Sequence, residues 1–440
     1  MAEQGMAEQG MAEQAGVRRR PELACTQRFT RYQRDWFAGV RERAAAGEPV
    51  ALLSADAPHE IYRAMDIPYV VVQWWSSVIA AKQKAPGYLR ALAAAGYPDD
   101  SEQYNALPLG ELLAADDDPP WGGLPRPAII SASLGTDAMR QLFEAWAQRS
   151  GAVFYPVEKT VDPRANLPED WWARLPASWD SFLQKERLDL LTDELTGLIR
   201  ALEQATGRRF SESRFAEVMH LANEQAEHNA AARDLVAATV PAPVSIAETM
   251  PAVMVPQWHR GSAWARDAAA EFRAELATRA ADGRAACAGE RVRLMWLGRG
   301  LWSSLGLYQY FQDTYGAVFV WSMYLGLAAD GYARYFDGRD PLRALAARFV
   351  TVGDELRMPT WSAAWHLKEA VLHQVDGVVS LGEDDYFSVR RLEGAGIPVL
   401  SVAADNVDRR TWDEDGLKAA ISRFIEERAL PAAERRHHAG

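Results

Sequence analysis

Residues 50–75 read VALLSADAPHEIYRAMDIPYVVVQWW. Two apolar runs, VALLS and IPYVVVQWW, flank a stretch that begins after Pro58 and carries helical spacing. Neither run alternates polar with apolar residues, so each reads as a strand covered on both faces rather than one with a wet side. Strand, helix and strand in that order predict a parallel pair joined by a helical crossover.

The same alternation extends outward. A helix is predicted near Tyr32 to Ala46 and another near Tyr88 to Ala95. The strand PAIISAS, a helix from Thr136 to Arg149 and the strand AVFYPV follow. Together they predict a first α/β domain over 31–175. Over 176–283 the strand-like runs stop and helical spacing takes over, broken at VPAPVSIAETMP by Pro241, Pro243 and Pro251, because a proline removes a helix donor. Strands return in RVRLMWLG, AVFVWSM, DGVVSL and IPVLSVA, separated by helices that include Leu342 to Val350 and Trp361 to His373, with a closing helix at Gly416 to Arg428. The expected fold class is α/β: two Rossmann- or flavodoxin-like parallel-sheet domains, 31–175 and 284–430, with a helical segment between them. The halves look like a loose duplication.

The first twenty residues repeat MAEQG and lack a long apolar core, predicting a disordered tail over 1–30 rather than a secretory signal or membrane span. Residues 431–440 read as a second flexible tail. The longest apolar region, YGAVFVWSMYLGLAADGY, is shorter than the roughly 20 residues of a bilayer crossing and reads as a buried strand and the turn after it. A net charge of −12, from 60 acidic and 48 basic residues, gives no sustained phosphate-neutralising surface for nucleic acid. Only two cysteines occur, Cys25 and Cys287. They lack metal-ligand spacing, and a reduced, cytoplasmic protein is the expectation.

Several candidate sites stand beside plainer readings. Gly298, Gly300 and Gly306 fall between a strand and a helix that Ser303 or Ser304 could cap, and free amides there would suit a CoA phosphate. Turn geometry is the plainer reading. His220, Glu224 and His228 recur every four residues on a helix, as metal ligands do, and as solvated faces do more often. Trp74 and Trp75 stand at the expected carboxyl end of a strand, where α/β sheets collect ligands, and read equally as an acyl wall or as core. No G-x-S-x-G, P-loop or H-E-x-x-H motif is present.

The ordered segments ADAPHEIYRAMDIPYVVV, GYLRALAAAGYPDDSEQYNALPLG, RPAIISASLGTDAMRQLFEAWAQRSGAVFYPVE, VRLMWLGRGLWSSLGLYQYFQDTYGAVFVWSMYLG, DPLRALAARFV, VDGVVSLGEDD and GIPVLSVAADNVDRRTWDEDGLKAAISRFIEE resemble the subunits of the 2-hydroxyacyl-CoA dehydratase and benzoyl-CoA reductase family over about 31–427. The resemblance implies an iron–sulfur cluster on three cysteines, one in each segment matched here by DDSEQYN, SLGTDAM and SLGEDDY. This chain has no cysteine in any of them. The positions fall at or beside Glu102, at or beside Asp137, and in the loop Gly382 to Asp385. Ala420 stands where relatives tend to carry an arginine.

The resemblance therefore implies a cluster-free subunit of a CoA-thioester complex, with any [4Fe–4S] cluster confined to a homologous partner in a heterodimer or heterotetramer. Trp74 and Trp75 would then face the acyl or aromatic acyl group, and Gly298, Gly300, Ser303 and Ser304 would contact CoA. A second reading is a non-redox acyl-CoA lyase or hydratase with Glu60 or Glu102 moving a proton, which requires a dry cleft and a raised pKa. A third is a small-molecule binding protein without chemistry. Glu102, Asp137 and Asp384 or Asp385 would suit a hard metal ion, although solvated acidic loops are the plainer account, and no metal is assigned.

Overall fold

The computed structural model describes residues 23–158, 160, 169–351, 359–382 and 386–439. The first half contains α1 (Ala24–Ala45), β1 (Ala51–Leu53), α2 (His59–Ala64), β2 (Tyr69–Val71), α3 (Val72–Ala81), α4 (Ala85–Ala94), α5 (Gln103–Ala114), β3 (Ile129–Ser133), α6 (Asp137–Ser150) and β4 (Val153–Val157). A helical segment follows: α7 (Trp171–Phe182), α8 (Lys185–Thr206), α9 (Glu212–Ala238), α10 (Ile246–Trp258) and α11 (Ala263–Ala281). The second half has β5 (Val292–Leu297), α12 (Gly306–Tyr315), β6 (Ala317–Ser322), α13 (Met323–Asp330), α14 (Pro341–Thr351), α15 (Pro359–Leu372), β7 (Gly377–Leu381), α16 (Tyr386–Gly394) and β8 (Val399–Val402). It closes with α17 (Glu414–Phe424), a π turn and α18 (Leu430–Ala439).

Each half forms a four-stranded sheet, ordered β2-β1-β3-β4 and β6-β5-β7-β8, with every pair parallel. Within its own half each order reads second, first, third, fourth, the flavodoxin-like pattern. The duplication is thus a duplication of topology. Every residue of β1, β2, β3, β5 and β6 is buried, which is why their sequences run apolar without alternating. Among the described residues no helix is long and apolar enough to cross a membrane.

Some boundaries differ from the sequence expectation. IPYVVVQWW is not one strand: pairing ends at Leu53 with Val71, β1 offers no further partner, and the chain turns into α3. Trp74 and Trp75 are therefore helical residues. Likewise β6 is followed by the helix α13 rather than a turn. Pro251 does not end a helix but lies inside α10 with Pro256. Burial of Ile246, Met250 and Val253 and a Glu248 carboxylate that accepts from the Ser245 N–H at 3.2 Å offset the missing donors. The first helix starts at Ala24 rather than Tyr32, its opening amides donating to Glu275 at 2.7 and 2.9 Å. The stretch expected to be a C-terminal tail is largely the helix α18, tied down by Arg436 on Asp376 at 2.8 Å and by buried Ala433.

Buried charges join the parts. Glu60 on α2 is fully buried and takes Arg260, which follows α10, at 3.0 Å, and Arg348 of α14 at 2.5 and 2.6 Å. Burial by itself would raise the Glu60 carboxyl, but Arg348 and Arg260 outweigh it and hold it well below the ordinary carboxylate range. A second cluster holds α9 against α13 and α15: Arg233 meets Asp330 at 3.0 Å and Glu369 at 2.6 Å. The indoles of Trp365 and Trp321 donate to the same two carboxylates. Arg293, from inside β5, donates to the carbonyls of Val236, Thr239 and His373 at 2.7–3.2 Å, satisfying orphan acceptors at the ends of α9 and α15.

Removing Glu60 leaves two guanidinium groups buried without it, so Glu60→Ala is expected to lower the unfolding free energy by about 3–5 kcal/mol in urea denaturation. The Glu60 contribution is full above the unfolded-state value of about 4.3 and is lost as pH falls through the lower folded value. On acidification below about pH 4 the wild type should therefore lose stability more steeply than Glu60→Gln.

Candidate functional site

The carboxyl ends of strands from both sheets meet at a cavity that is partly open to solvent, the place where open α/β sheets collect ligands. Ala55 and Asp56 reach it from the end of β1, Gln73 from α3, and Tyr104 and Asn105 from α5. From the other side come Arg299 beyond β5 and Met323, Tyr324, Leu327 and Ala328 of α13. Met254, Gln257 and Trp258 close it from α10. The lining is mostly apolar with a few placed amides, the usual composition of a specific pocket.

A row of hydrogen bonds runs along the first-half wall. The Ala55 N–H donates to Gln73 Oε1 at 2.7 Å, Gln73 Nε2 to Asn105 Oδ1 at 2.6 Å, and Asn105 Nδ2 to Glu102 Oε2 at 2.7 Å. The Thr136 hydroxyl donates to Glu102 Oε1 at 2.9 Å and accepts the Met139 N–H at 3.1 Å, capping α6. The second half repeats the first contact of the row: the Gly300 N–H donates to the Tyr324 hydroxyl at 2.9 Å. Gln73 and Tyr324 each stand second in the helix that follows the second strand of their half.

The sequence-chosen residues are not all brought together. Glu60 lies behind the cavity in its arginine pair. A carboxylate held ionised that way does not meet the raised-pKa requirement of a general acid. Glu102 stands at the end of the amide row with both oxygens taken, in a left-handed conformation at φ 53°. Trp74 and Trp75 do not line the cavity. Trp75 stacks on Phe37 at 4.8 Å and donates its indole N–H to Glu111, and Trp74 packs on Phe37 at 5.4 Å and Trp36 at 5.6 Å. Both belong to the core because α3 turns them away from the strand ends.

Two amides of the glycine loop are already engaged. Gly300 and Leu301 donate to the hydroxyls of Tyr324 and Tyr308 at 2.9 and 3.0 Å. Helix α12 starts only at Gly306 and has no side-chain cap. Ser304 donates instead to Glu414 at 2.9 Å, and the Ser303 carbonyl accepts from Gln83 at 3.1 Å. Gly298 is needed for geometry: φ is +110°, and a Cβ would stand 2.9 Å from the Leu381 carbonyl oxygen.

The family model described as 2-hydroxyglutaryl-CoA dehydratase, D-component, matches residues 54–427. The chain belongs to this family. A curated relative is the (R)-phenyllactyl-CoA dehydratase alpha subunit of Clostridium sporogenes, 22% identical over 375 residues that cover 84% of this chain and 86% of the relative.

Within the D-component family this chain is a member without the cluster cysteines. Glu102 and Thr136 join the first two of the three segments at 2.9 Å, and Asp137 is exposed at the start of α6. Asp384 and Asp385 lie outside the described residues. Among the described residues no group of three or more His, Cys, Asp or Glu is placed to hold a metal. On α9, Glu224 pairs with Arg266 at 3.2 Å and His220 packs on Phe336. Both cysteines are buried elsewhere. Cys25 sits beside Glu275, where burial first and that carboxylate second push its thiol up to about 12, and Cys287 faces the Gln312 carbonyl at 3.7 Å. Glu102 and Asp137, at or beside the positions where the resemblance implies cluster cysteines, offer oxygens, which do not fit a [4Fe–4S] cluster, since that takes thiolates.

The wall residues Gln73, Asn105, Gln257 and Arg299 were not singled out by sequence, although Asn105 stands one helical turn after Glu102. Gly298→Ala, meeting both a positive φ and a backbone oxygen, is expected to cost about 1–3 kcal/mol in a thermal melt. Gly306→Ala, with open space around its Cβ, should leave the melt unchanged or slightly raised.

Proposed function

We propose that this chain is a cluster-free subunit of a CoA-thioester enzyme complex, holding the acyl end of the substrate while a homologous, cysteine-bearing partner supplies the redox chemistry. The observation that supports the reading is the cavity: it stands where the carboxyl ends of the two sheets meet, and Glu102, two residues from the wall residue Tyr104, falls where the resemblance implies a thiolate. The acyl wall in this reading is Met254, Trp258, Met323 and Leu327 rather than Trp74 and Trp75. The lining is apolar and aromatic, and the relative acts on an aryl acyl thioester, (R)-phenyllactyl-CoA. An aromatic acyl-CoA is accordingly the first substrate class to try.

Carboxylate acid–base chemistry within the chain has less support. Glu60 and Glu102 each accept hydrogen bonds through both oxygens, leaving neither placed to trade a proton with a ligand. Binding without turnover is what the isolated chain should display.

The chain purified with the products of its neighbouring genes should form a stable complex with a cysteine-bearing relative, while the chain alone holds no stoichiometric iron or sulfide. Stoichiometric iron in the isolated chain would overturn the reading, and turnover by the chain alone would favour a lyase. Leu327→Trp, filling the half-buried wall, is expected to weaken 3-phenylpropanoyl-CoA binding about tenfold or more, or 1.4 kcal/mol, by calorimetry without loss of the thermal transition.

A further inference from the structure

We propose that the side-chain amides of Gln73 and Asn105 form a donor pair that receives the carbonyl oxygen of an acyl thioester, with Glu102 as the positioning residue that sets their polarity. The inference rests on the acyl-thioester reading above and adds to it the atoms that would recognise the reacting group.

Which end of a side-chain amide is oxygen follows from its partners. At one end of the row stands the Ala55 N–H, which can only donate, 2.7 Å from Gln73. The Gln73 oxygen must face it, so the NH2 group is what lies 2.6 Å from Asn105. At the other end stands the Glu102 carboxylate, an acceptor, 2.7 Å from Asn105. That requires the Asn105 NH2 to face Glu102 and its oxygen to face Gln73. The two ends agree, so the row has a single direction. Thr136 completes the shell of donors around Glu102.

Each NH2 group carries two hydrogens, and the row uses one of each. Both residues line the cavity, and they are 9% and 4% exposed. In this proposal the remaining hydrogens serve whatever occupies a cavity that is otherwise largely apolar. A neutral pair of N–H donors suits a neutral oxygen with exposed lone pairs, and the thioester carbonyl is the oxygen that every acyl-CoA brings. The pair is rigidly seated: the Ala55 carbonyl accepts from Arg260 at 3.2 Å, which ties the start of the row to the Glu60 cluster. Glu102, at or beside a cluster-cysteine position of relatives, then acts through Asn105 without touching the ligand.

The test compares two probes on the full-length chain by calorimetry: 3-phenylpropanoyl-CoA and S-(3-phenylpropyl)-CoA, the thioether in which CH2 replaces C=O. The wild type is expected to prefer the thioester at least tenfold. Gln73→Glu and Asn105→Asp, each exchanging a donor for an acceptor at nearly constant shape, should bring that preference within twofold. Glu102→Gln, which no longer dictates the direction of the row and is only partly buried, should also reduce the preference, and it keeps the test open where a core variant fails to fold. Equal binding of the probes by wild type, or an unchanged preference in the variants, would overturn the donor pair and leave the acyl-CoA reading standing. Binding of neither probe would overturn both.

Discussion

Glu60 is the carboxylate on which three parts of the chain converge. It belongs to the first sheet's crossover, Arg260 to the helical segment and Arg348 to the second half. Arg260 also donates to the carbonyls of Ala55 and Ala57 at 3.2 and 2.6 Å, and its own carbonyl accepts from Arg63 at 3.0 Å. A buried pair of this kind is weak evidence for net stability, because desolvation offsets much of the attraction. Its effect is on arrangement: with three segments anchored to one carboxyl, the loop after β1 has little freedom, and the cavity wall built on that loop inherits its position.

The two-sheet architecture was readable because doubly covered strands leave a continuous apolar signature, and VALLS, PAIISAS, RVRLMWLG and DGVVSL carry it. The ends of elements were less readable for a tertiary reason. Nothing local in PYVVVQWW says that β1 stops at Leu53, yet that is what ends β2 and sends Trp74 and Trp75 into the core. The glycine loop misled in a related way. Its backbone amides look free in sequence, and those of Gly300 and Leu301 are taken by Tyr324 and Tyr308, whose approach depends on packing of α12 and α13. The amide row was hidden because Gln73, Asn105 and Glu102 meet only through the fold.

Loops that hold a metal cluster are cross-linked by it. Where the resemblance implies such a cluster, this chain is fastened by weaker means. Arg410, braced by the buried Asp408, donates to the Asp99 carboxylate at 2.8 Å and to its carbonyl at 3.0 Å. Gln83 reaches the Ser303 carbonyl at 3.1 Å, and Arg299 lies 5.5 Å from the Tyr104 ring centre. These contacts bridge the two halves, the last of them in the cavity wall. Half-exposed ion pairs contribute little each, of order 0–1 kcal/mol, so the loop holds its place by several modest contacts rather than by one strong one.

The repeated bond from a strand-end amide to the next helix has different chemistry in each half. In the first half the acceptor is Gln73, whose amide can pass a direction onward to Asn105. In the second it is Tyr324, whose ring continues into the apolar surface of Met323 and Leu327. Equivalent places in a duplicated fold have thereby become unlike poles. Apart from Arg299, drawn over Tyr104, the cavity is polar toward the first sheet and hydrocarbon-like toward the second. A ligand with one polar end and one greasy end would have a single favourable way to lie in it, so two halves of like topology together define a direction.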